Sequence, residues 1–215
     1  VPSTTFFAFC NKMLKKYENT ESVFAISGSN FQNNLIGDGD YYFSKYAHCW
    51  GWATWKRAWR YFDNKMIFWD KFRNSKSWDN LHEDKLENKY WKKIFDKVKA
   101  NKLDSWAYVW LASVWNYNGI TIIPNKNLIL NIGFNKNATN TVSSTETNET
   151  NLKFQELNNE IKEPTIKKID KKADKFVFNN HFNGKFNFWP WRFLYILKIL
   201  LQNPKTFWLR FKKYI

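Results

Sequence analysis

An aspartate stands directly before a helix-like segment that is rich in tryptophan. Asp104 is followed by Trp106, Val109, Trp110 and Val114, whose spacing places apolar side chains on one face of a helix. A carboxylate beside indole rings could act as a general base that takes a proton from a hydroxyl group held against those rings. It could instead cap the helix by accepting a backbone N–H two or three residues on. The spacing alone allows both roles.

A second group of tryptophans lies earlier in the chain. Trp50, Gly51 and Trp52 are followed by Trp55 and Trp59, and the spacing predicts that Trp52, Trp55 and Trp59 share one helical face. Aromatic residues at helical spacing usually belong to a core, but a glycine between two large rings indicates close approach of the backbone to a neighbour or ligand. Flat apolar rings beside polar groups also suit sugar rings. We therefore predict a mixture of core and pocket.

Two further features could contact ligands. His48 is either a structural imidazole or a donor to an anionic group of a substrate. Asp38-Gly39-Asp40 has the spacing with which two carboxylates hold a divalent cation. Asp-Gly pairs are also ordinary turn residues, so this second feature has a simple alternative.

These candidate residues need a scaffold in which helices and strands alternate. The sequence predicts helices over residues 2–17, 81–99 and 105–117, and strands over 22–26, 121–124 and 128–132. Gly28 and Ser29 fall in a polar loop after the first strand, a position that suits a ligand-facing edge of an α/β sheet. The fold class predicted from this pattern is α/β.

Composition excludes several classes of protein. The chain has 215 residues, of which 44% are hydrophobic and 20% aromatic, too many for a disordered protein. Its two cysteines cannot build a disulfide framework, and its three histidines have no zinc-site spacing with them. No apolar stretch reaches the roughly 18 residues of a membrane span. The cytoplasm is therefore the expected compartment.

Positive charge is concentrated towards the carboxyl terminus. The net charge is +15, and no acidic residue follows Asp174. Residues 185–215 combine Trp189, Trp191 and Trp208 with lysines and arginines in two segments that are too short to span a bilayer. We predict a tail that lies on an anionic membrane surface, with an ordinary docking helix as the alternative. Single-stranded nucleic acid is a weaker candidate partner, because no recognition motif is present.

Four stretches together resemble a known enzyme family. The segments FFAFCNKMLKKYENTESVFAISGSNFQ, YYFSKYAHCWGWATWKRAW, LDSWAYVWLASVWNYNGITIIPNKNLILNIGF and NATNT are similar to the carboxyl-terminal two-thirds of bacterial family 2-like, hemolysin-type glycosyltransferases. The resemblance covers residues 1–141 and implies a GT-A fold, a mixed α/β sheet with a nucleotide-sugar half and an acceptor half. It also implies inverting transfer of a sugar from a nucleotide-diphosphate donor to a hydroxyl of a glycan or lipid-linked acceptor.

The resemblance extends to individual residues. Asp104 matches the position of the catalytic carboxylate. The substrate-binding positions that we expect are Trp50, Gly51, Trp52 and Trp106, together with His48, Gly28 and Ser29. Relatives hold a divalent cation, Mn²⁺ or Mg²⁺, in an acidic motif that would precede Val1. We therefore expect the complete enzyme to use this cation and predict no metal site within residues 1–215.

The predicted organisation has three parts. Residues 1–150 form a partial GT-A-like domain, the acceptor half, with a polar loop at 134–150; residues 151–184 form a charged connector, and 185–215 a basic, aromatic, helical tail. The nucleotide-binding strands would lie upstream of Val1, so we expect little transferase activity from these residues alone. The predicted location is the inner face of the cell membrane, as a peripheral protein.

Overall fold

The computed structural model describes residues 1–132, 155–158 and 160–202, so the predicted loop at 134–150 and the end of the tail at 203–215 lie outside it. The helices are α1 (Thr4–Lys16), α2 (Lys56–Trp59), α3 (Trp69–Phe72), α4 (Lys76–Leu81), α5 (Lys85–Lys99), α6 (Trp106–Asn116), α7 (Lys171–Asn180) and α8 (Trp191–Gln202), with a 3-10 helix at Gly184–Asn187. The strands are β1 (Val23–Ser27), β2 (Tyr41–Ser44), β3 (Trp52–Thr54) and β4 (Ile120–Pro124).

The four strands form one mixed sheet in the order β2-β4-β1-β3. The central strands β1 and β4 are parallel, and each outer strand runs antiparallel to its neighbour. Every residue of β1 is buried, as a central strand covered on both faces requires. Because β1 and β4 are parallel, their carboxyl ends meet at one edge of the sheet. The predicted α/β class is confirmed as a small mixed sheet flanked by helices.

The elements with strong local signals form where the sequence predicts them. Helix α1 begins after Ser3, whose hydroxyl accepts the N–H of Phe6 at 3.2 Å, and its apolar stripe packs against the sheet. Strands β1 and β4 and helix α6 also lie within a residue or two of their predicted positions. The predicted helices at 2–17 and 105–117 and the strands at 22–26 and 121–124 are therefore confirmed.

The prediction that Trp52, Trp55 and Trp59 share a helical face is wrong. Trp52–Thr54 is strand β3, in which Trp52 pairs with Ser27 of β1, and helix α2 begins only at Lys56. Pairing with β1 satisfies backbone groups that this segment would otherwise leave open, and this non-local gain overrides the local spacing. Trp55 packs on the face of the sheet opposite to α6. There its indole N–H donates to the Leu14 carbonyl at 2.9 Å.

Two other predicted elements differ from the structure. The helix predicted at 81–99 begins later, as α5 at Lys85, because the Asp84 carboxylate caps it by accepting the N–H of Leu86 at 2.8 Å; Leu81 instead ends the separate helix α4. Residues 128–132 are not a strand. Ile129 forms an isolated bridge with Pro2, because the neighbouring segment enters α1 at Thr4 and offers only residues 1–3 for pairing.

The core is divided between the two faces of the sheet. On one face, Phe9 and Met13 of α1 pack against Ile26 and Ile122 of the sheet. The larger cluster lies on the α5 and α6 side and contains the fully buried tryptophans Trp69, Trp78, Trp91, Trp110 and Trp115. Edge-to-face contacts between these rings, such as Trp91 with Trp115 at 5.2 Å, stabilise this cluster, whereas most cores are packed with smaller aliphatic side chains.

The segment predicted as a charged connector, residues 151–184, lies against the domain wherever the structure describes it. The Glu156 carboxylate accepts bonds from Thr4 and Thr5 at the start of α1. Further on, α7 buries Val177 and Phe178 in the larger core. Among the described helices, α8 included, none is long and apolar enough to cross a membrane.

Candidate functional site

Four tryptophans from three elements meet at the amino-terminal end of α6. The ring of Trp52 in β3 has its centroid 5.6 Å from that of Trp106, 5.9 Å from that of Trp110 and 5.7 Å from that of Trp59. Trp59 and Trp110 are 5.2 Å apart. We call these four residues the indole cluster. Trp110 is buried, whereas Trp59 and Trp106 are 40% and 46% exposed, so the cluster has an inner ring and outer rings open to solvent.

Asp104 lies exposed at the same end of α6, two residues before Trp106. The N-cap is Ser105, whose hydroxyl accepts the N–H of Tyr108 at 3.4 Å. The alternative that Asp104 caps the helix is therefore wrong. No other described residue makes a hydrogen bond or ion pair with the Asp104 carboxylate.

Gly51 forms a tight turn that positions Trp52. Its φ is +58°, and a Cβ at this position would lie 2.2 Å from the Cδ1 of Ile129. The Gly28 N–H donates to the Gly51 carbonyl at 2.7 Å, and the Ser29 hydroxyl donates to the Trp50 carbonyl at 2.8 Å. Both residues are buried. In the structure, Gly28 and Ser29 therefore hold the turn before β3, rather than presenting open polar groups at the sheet edge.

His48 and Trp50 lie in a second aromatic group, separate from the ring contacts of the indole cluster. The His48 ring contacts Phe31, Tyr46, His181 and Phe182, at centroid distances from 4.6 to 6.3 Å. The Trp50 ring lies 5.6 Å from Phe31. Burial, and to a lesser degree the neighbouring His181, holds the pKa of His48 well below its usual value. The imidazole is therefore neutral at neutral pH and brings no positive charge to an anionic substrate.

The Asp38-Gly39-Asp40 segment is bound to the chain's own backbone. The Asp38 carboxylate accepts the N–H and the hydroxyl of Thr165, and these bonds lower its pKa. The Asp40 carboxylate accepts the N–H of Lys162 at 2.7 Å. Both carboxylates thus anchor residues 162–165. Within the described residues, no group of three or more histidine, cysteine or acidic side chains could hold a metal ion.

A buried charged network that the sequence does not indicate lies between β2 and α5. The Lys45 ammonium lies 2.9 Å from the Glu87 carboxylate, which also accepts the Tyr46 hydroxyl and lies 3.7 Å from the His82 Nδ1. Burial opposes ionisation of Glu87, but the polar contact with His82 and the charge of Lys45 prevail and hold its pKa below the usual value. Burial lowers the pKa of His82, because it disfavours the charged imidazolium.

Asp174 extends this network to α7. Its carboxylate accepts the Ser44 hydroxyl at 2.5 Å and the N–H of Lys45 at 3.1 Å. Burial raises the pKa of Asp174 to about 7, although Lys45 and the two hydrogen bonds act in the opposite direction. A pocket of about 460 Å³ lies between α5 and α7 above Lys45, Glu87 and Asp174. The polar groups at its floor are already paired with one another, so the arrangement is typical of a structural network.

The indole cluster and Asp104 are thus the part of the predicted site that the structure brings together. Trp52 and Trp106 belong to it. Gly28, Ser29 and Gly51 form the turn before β3, and His48 and Trp50 lie in the second aromatic group. No protein-family model matches the chain, and no curated protein or solved structure matches it either.

Proposed function

We propose that the chain is the acceptor-side part of a GT-A-type glycosyltransferase. It would transfer a sugar from a nucleotide-diphosphate donor to a hydroxyl of a glycan or lipid-linked acceptor. The observation that carries the proposal is the half-exposed indole cluster next to the exposed Asp104 carboxylate, which has no ion-pair or hydrogen-bond partner among the described residues. The resemblance of residues 1–141 to glycosyltransferases, and a mixed sheet with antiparallel outer strands, support it.

The exposed rings suit a sugar. One face of a pyranose ring carries C–H groups that pack on an aromatic ring, while its hydroxyls remain available to polar neighbours. The planes of Trp52 and Trp106 are inclined by 33°, so together they form a shallow apolar wall instead of a flat stack. Trp110 supports this wall from the core. An acceptor sugar placed on the wall would lie at the end of α6 where Asp104 stands.

Asp104 supplies the chemistry in this proposal. As the acceptor oxygen attacks the anomeric carbon of the donor, a new C–O bond forms, the bond to the diphosphate breaks, and the acceptor proton passes to the Asp104 carboxylate. Attack opposite to the leaving group inverts the anomeric centre. Charge on the departing diphosphate requires a cation such as Mn²⁺ or Mg²⁺.

The proposal is tested by measuring the binding of saccharides to the chain itself. Binding is detected by saturation-transfer NMR of the saccharide. A panel of hexoses, N-acetylhexosamines and short oligosaccharides is the probe. We expect saturation transfer from the protein to at least one class of sugar, and its loss in the variant Trp106→Ala. Trp189→Ala is the matched control, because Trp189 is exposed but lies outside the indole cluster. Equal binding by the two variants, or no binding to any sugar, would contradict the proposal.

The alternative function is that of a non-enzymatic, basic and aromatic binding protein for membrane surfaces or single-stranded nucleic acid. One observation favours its membrane form, the exposed apolar side chains of α8. Binding of saccharides that depends on Trp106 separates the two functions, because a pure membrane-surface protein needs no such dependence.

A further inference from the structure

Helix α8 exposes apolar side chains around most of its circumference. Between 39% and 75% of each of these residues is exposed: Trp191, Phe193, Leu194, Ile196, Leu197 and Leu201. Its described packing is with the 3-10 helix before it, where Tyr195 stacks on Phe186 at 4.8 Å. Contiguous exposed apolar surface on this scale is typical of a face that binds a partner or a membrane. At about 1.5 Å per residue, the described length of the helix, Trp191–Gln202, is too short to cross a bilayer.

Helix α5 carries a ladder of lysines at four-residue intervals, all of them exposed: Lys85, Lys89, Lys93 and Lys97. Like charges at this spacing repel one another and destabilise a helix. The acidic residues of α5 do not neutralise the ladder. Glu87 is buried against Lys45. Asp96 pairs with Arg73. A ladder that costs stability and has no described carboxylate partner is available to an external anion.

The lysine ladder and α8 are joined through the 3-10 helix. The Lys89 ammonium lies 5.7 Å from the centre of the Phe188 ring, and the 3-10 helix packs directly on α5. Beyond Phe188, the ring of the exposed Trp189 lies 5.7 Å from that of Phe193 in α8. The Lys185 ammonium lies 5.7 Å from the Trp191 ring. The positively charged surface of α5 therefore adjoins the apolar surface of α8.

From this continuity we propose that α5 and α8 form one composite surface that docks on a bilayer containing anionic lipid. Lipid phosphates would contact the lysine ladder, and the apolar side chains of α8 would enter the boundary between headgroups and acyl chains. This surface is larger than the membrane contact predicted from the sequence, which was confined to residues 185–215, because it includes the body of the domain.

Charge complementarity favours lipid over the other possible occupants. A second copy of the chain would bring the same lysines towards the ladder, and no acidic residue follows Asp174 to offset them. A nucleic acid would contact the lysines through its phosphates but would leave the aliphatic side chains of α8, such as Leu194 and Leu201, uncovered. An anionic bilayer is the partner that matches both halves of the surface.

The test is co-sedimentation of the full chain with phosphatidylcholine vesicles, with and without phosphatidylglycerol, at low and high salt. We expect binding that requires phosphatidylglycerol and weakens as salt rises. In the variant Lys89→Gln/Lys93→Gln/Lys97→Gln, partitioning should fall on the order of 100-fold, at about fivefold for each lysine. Leu194→Gln/Leu201→Gln should weaken binding at both salt concentrations, because it removes apolar burial.

The matched control is Lys12→Gln/Lys15→Gln/Lys56→Gln, which removes the same charge from exposed positions on α1 and α2. It should bind vesicles nearly as well as the wild type. All the altered side chains are exposed, so we expect every variant to fold. Circular dichroism of each variant checks this. The measurement needs no sugar donor, so its outcome and that of the saccharide experiment are independent.

Four results would overturn the proposal. The control could weaken binding as much as the ladder variant, which would indicate a response to net charge alone. The leucine variant could bind like the wild type, which would exclude α8 from the interface. A dimer that depends on Leu194 and Leu201 would make a second copy the occupant. Ladder-dependent binding to a single-stranded oligonucleotide, with none to vesicles, would make nucleic acid the partner.

Discussion

The Lys45 ammonium and the Glu87 carboxylate lie 2.9 Å apart, and both side chains are less than a tenth exposed, at 7% and 8%. Lys45 follows strand β2, and Glu87 lies in the first turn of α5. The pair therefore fixes the start of α5 against the sheet. Because each charge is buried, each depends on the other for compensation.

The first prediction concerns removal of one of these charges. Glu87→Gln leaves the Lys45 ammonium buried without a counter-charge, so the free energy of unfolding should fall by about 3–5 kcal/mol. Urea denaturation measures this loss. The double variant Lys45→Met/Glu87→Leu removes both charges and should recover most of it. A Glu87→Gln variant as stable as the wild type would show that the pair is solvated.

The second prediction concerns pH. The pKa of Asp174 is about 7 in the folded protein, against about 3.9 in an unfolded chain. Between these values the unfolded chain loses a proton that the folded protein keeps, so this group's contribution to stability is complete below pH 4 and is lost as the pH rises to about 7. The change is on the order of a few kcal/mol.

Urea denaturation from pH 4 to 8, with the wild type and Asp174→Asn in parallel, isolates this contribution. Other groups of the network titrate too: burial lowers the pKa of His82, which adds stability as the pH rises through its range. Subtracting the variant's profile from that of the wild type removes such terms. Parallel profiles would mean that Asp174 is ionised throughout.

The third prediction separates catalysis from capping at the start of α6. In a form of the protein that carries transferase activity, Asp104→Asn should lower turnover by about 10²–10⁴-fold. Because Asp104 is exposed and is not the N-cap, the free energy of unfolding should change little. Ser105→Ala is the matched control: it removes the cap and should cost about 1 kcal/mol of stability. Turnover should hardly change. The opposite pattern would make Asp104 a structural residue.

The fourth prediction concerns the turn that precedes β3. Gly51→Ala forces a side chain into a left-handed conformation and places its Cβ 2.2 Å from Ile129 Cδ1. The free energy of unfolding should fall by about 2–4 kcal/mol. In an Ile129→Ala background both close side-chain atoms, Cδ1 and Cγ1, are removed but the backbone strain is not, so part of the loss should persist. An unchanged urea midpoint for Gly51→Ala would show that the turn relaxes freely.

Elements with local signals could be predicted from the sequence, whereas those that depend on distant partners could not. The spacing of apolar residues and the cap at Ser3 define α1 within a few consecutive turns. Strand β3 exists only because β1 lies beside it. Trp52 was therefore expected on a helix. Its contact with Trp106 likewise depends on the position of β3 in the sheet.

The buried network shows the same limit for polar residues. Lysines and acids usually lie at the surface, so nothing in the local sequence distinguishes Lys45 or Glu87 from the many other charged residues. Asp174 bonds the backbone of Lys45 across 129 positions of chain. Such a pairing is a property of the assembled fold.

The outer edge of strand β2 is covered by residues made much later in synthesis. Ile169 forms a parallel bridge with Phe43, and the N–H of Asp170 donates to the Phe43 carbonyl at 2.8 Å. While the ribosome makes the intervening residues, this edge has no partner and is a template for pairing with another chain. The nascent protein is therefore prone to aggregate through this edge of β2 until Ile169 and α7 have been synthesised and cover it.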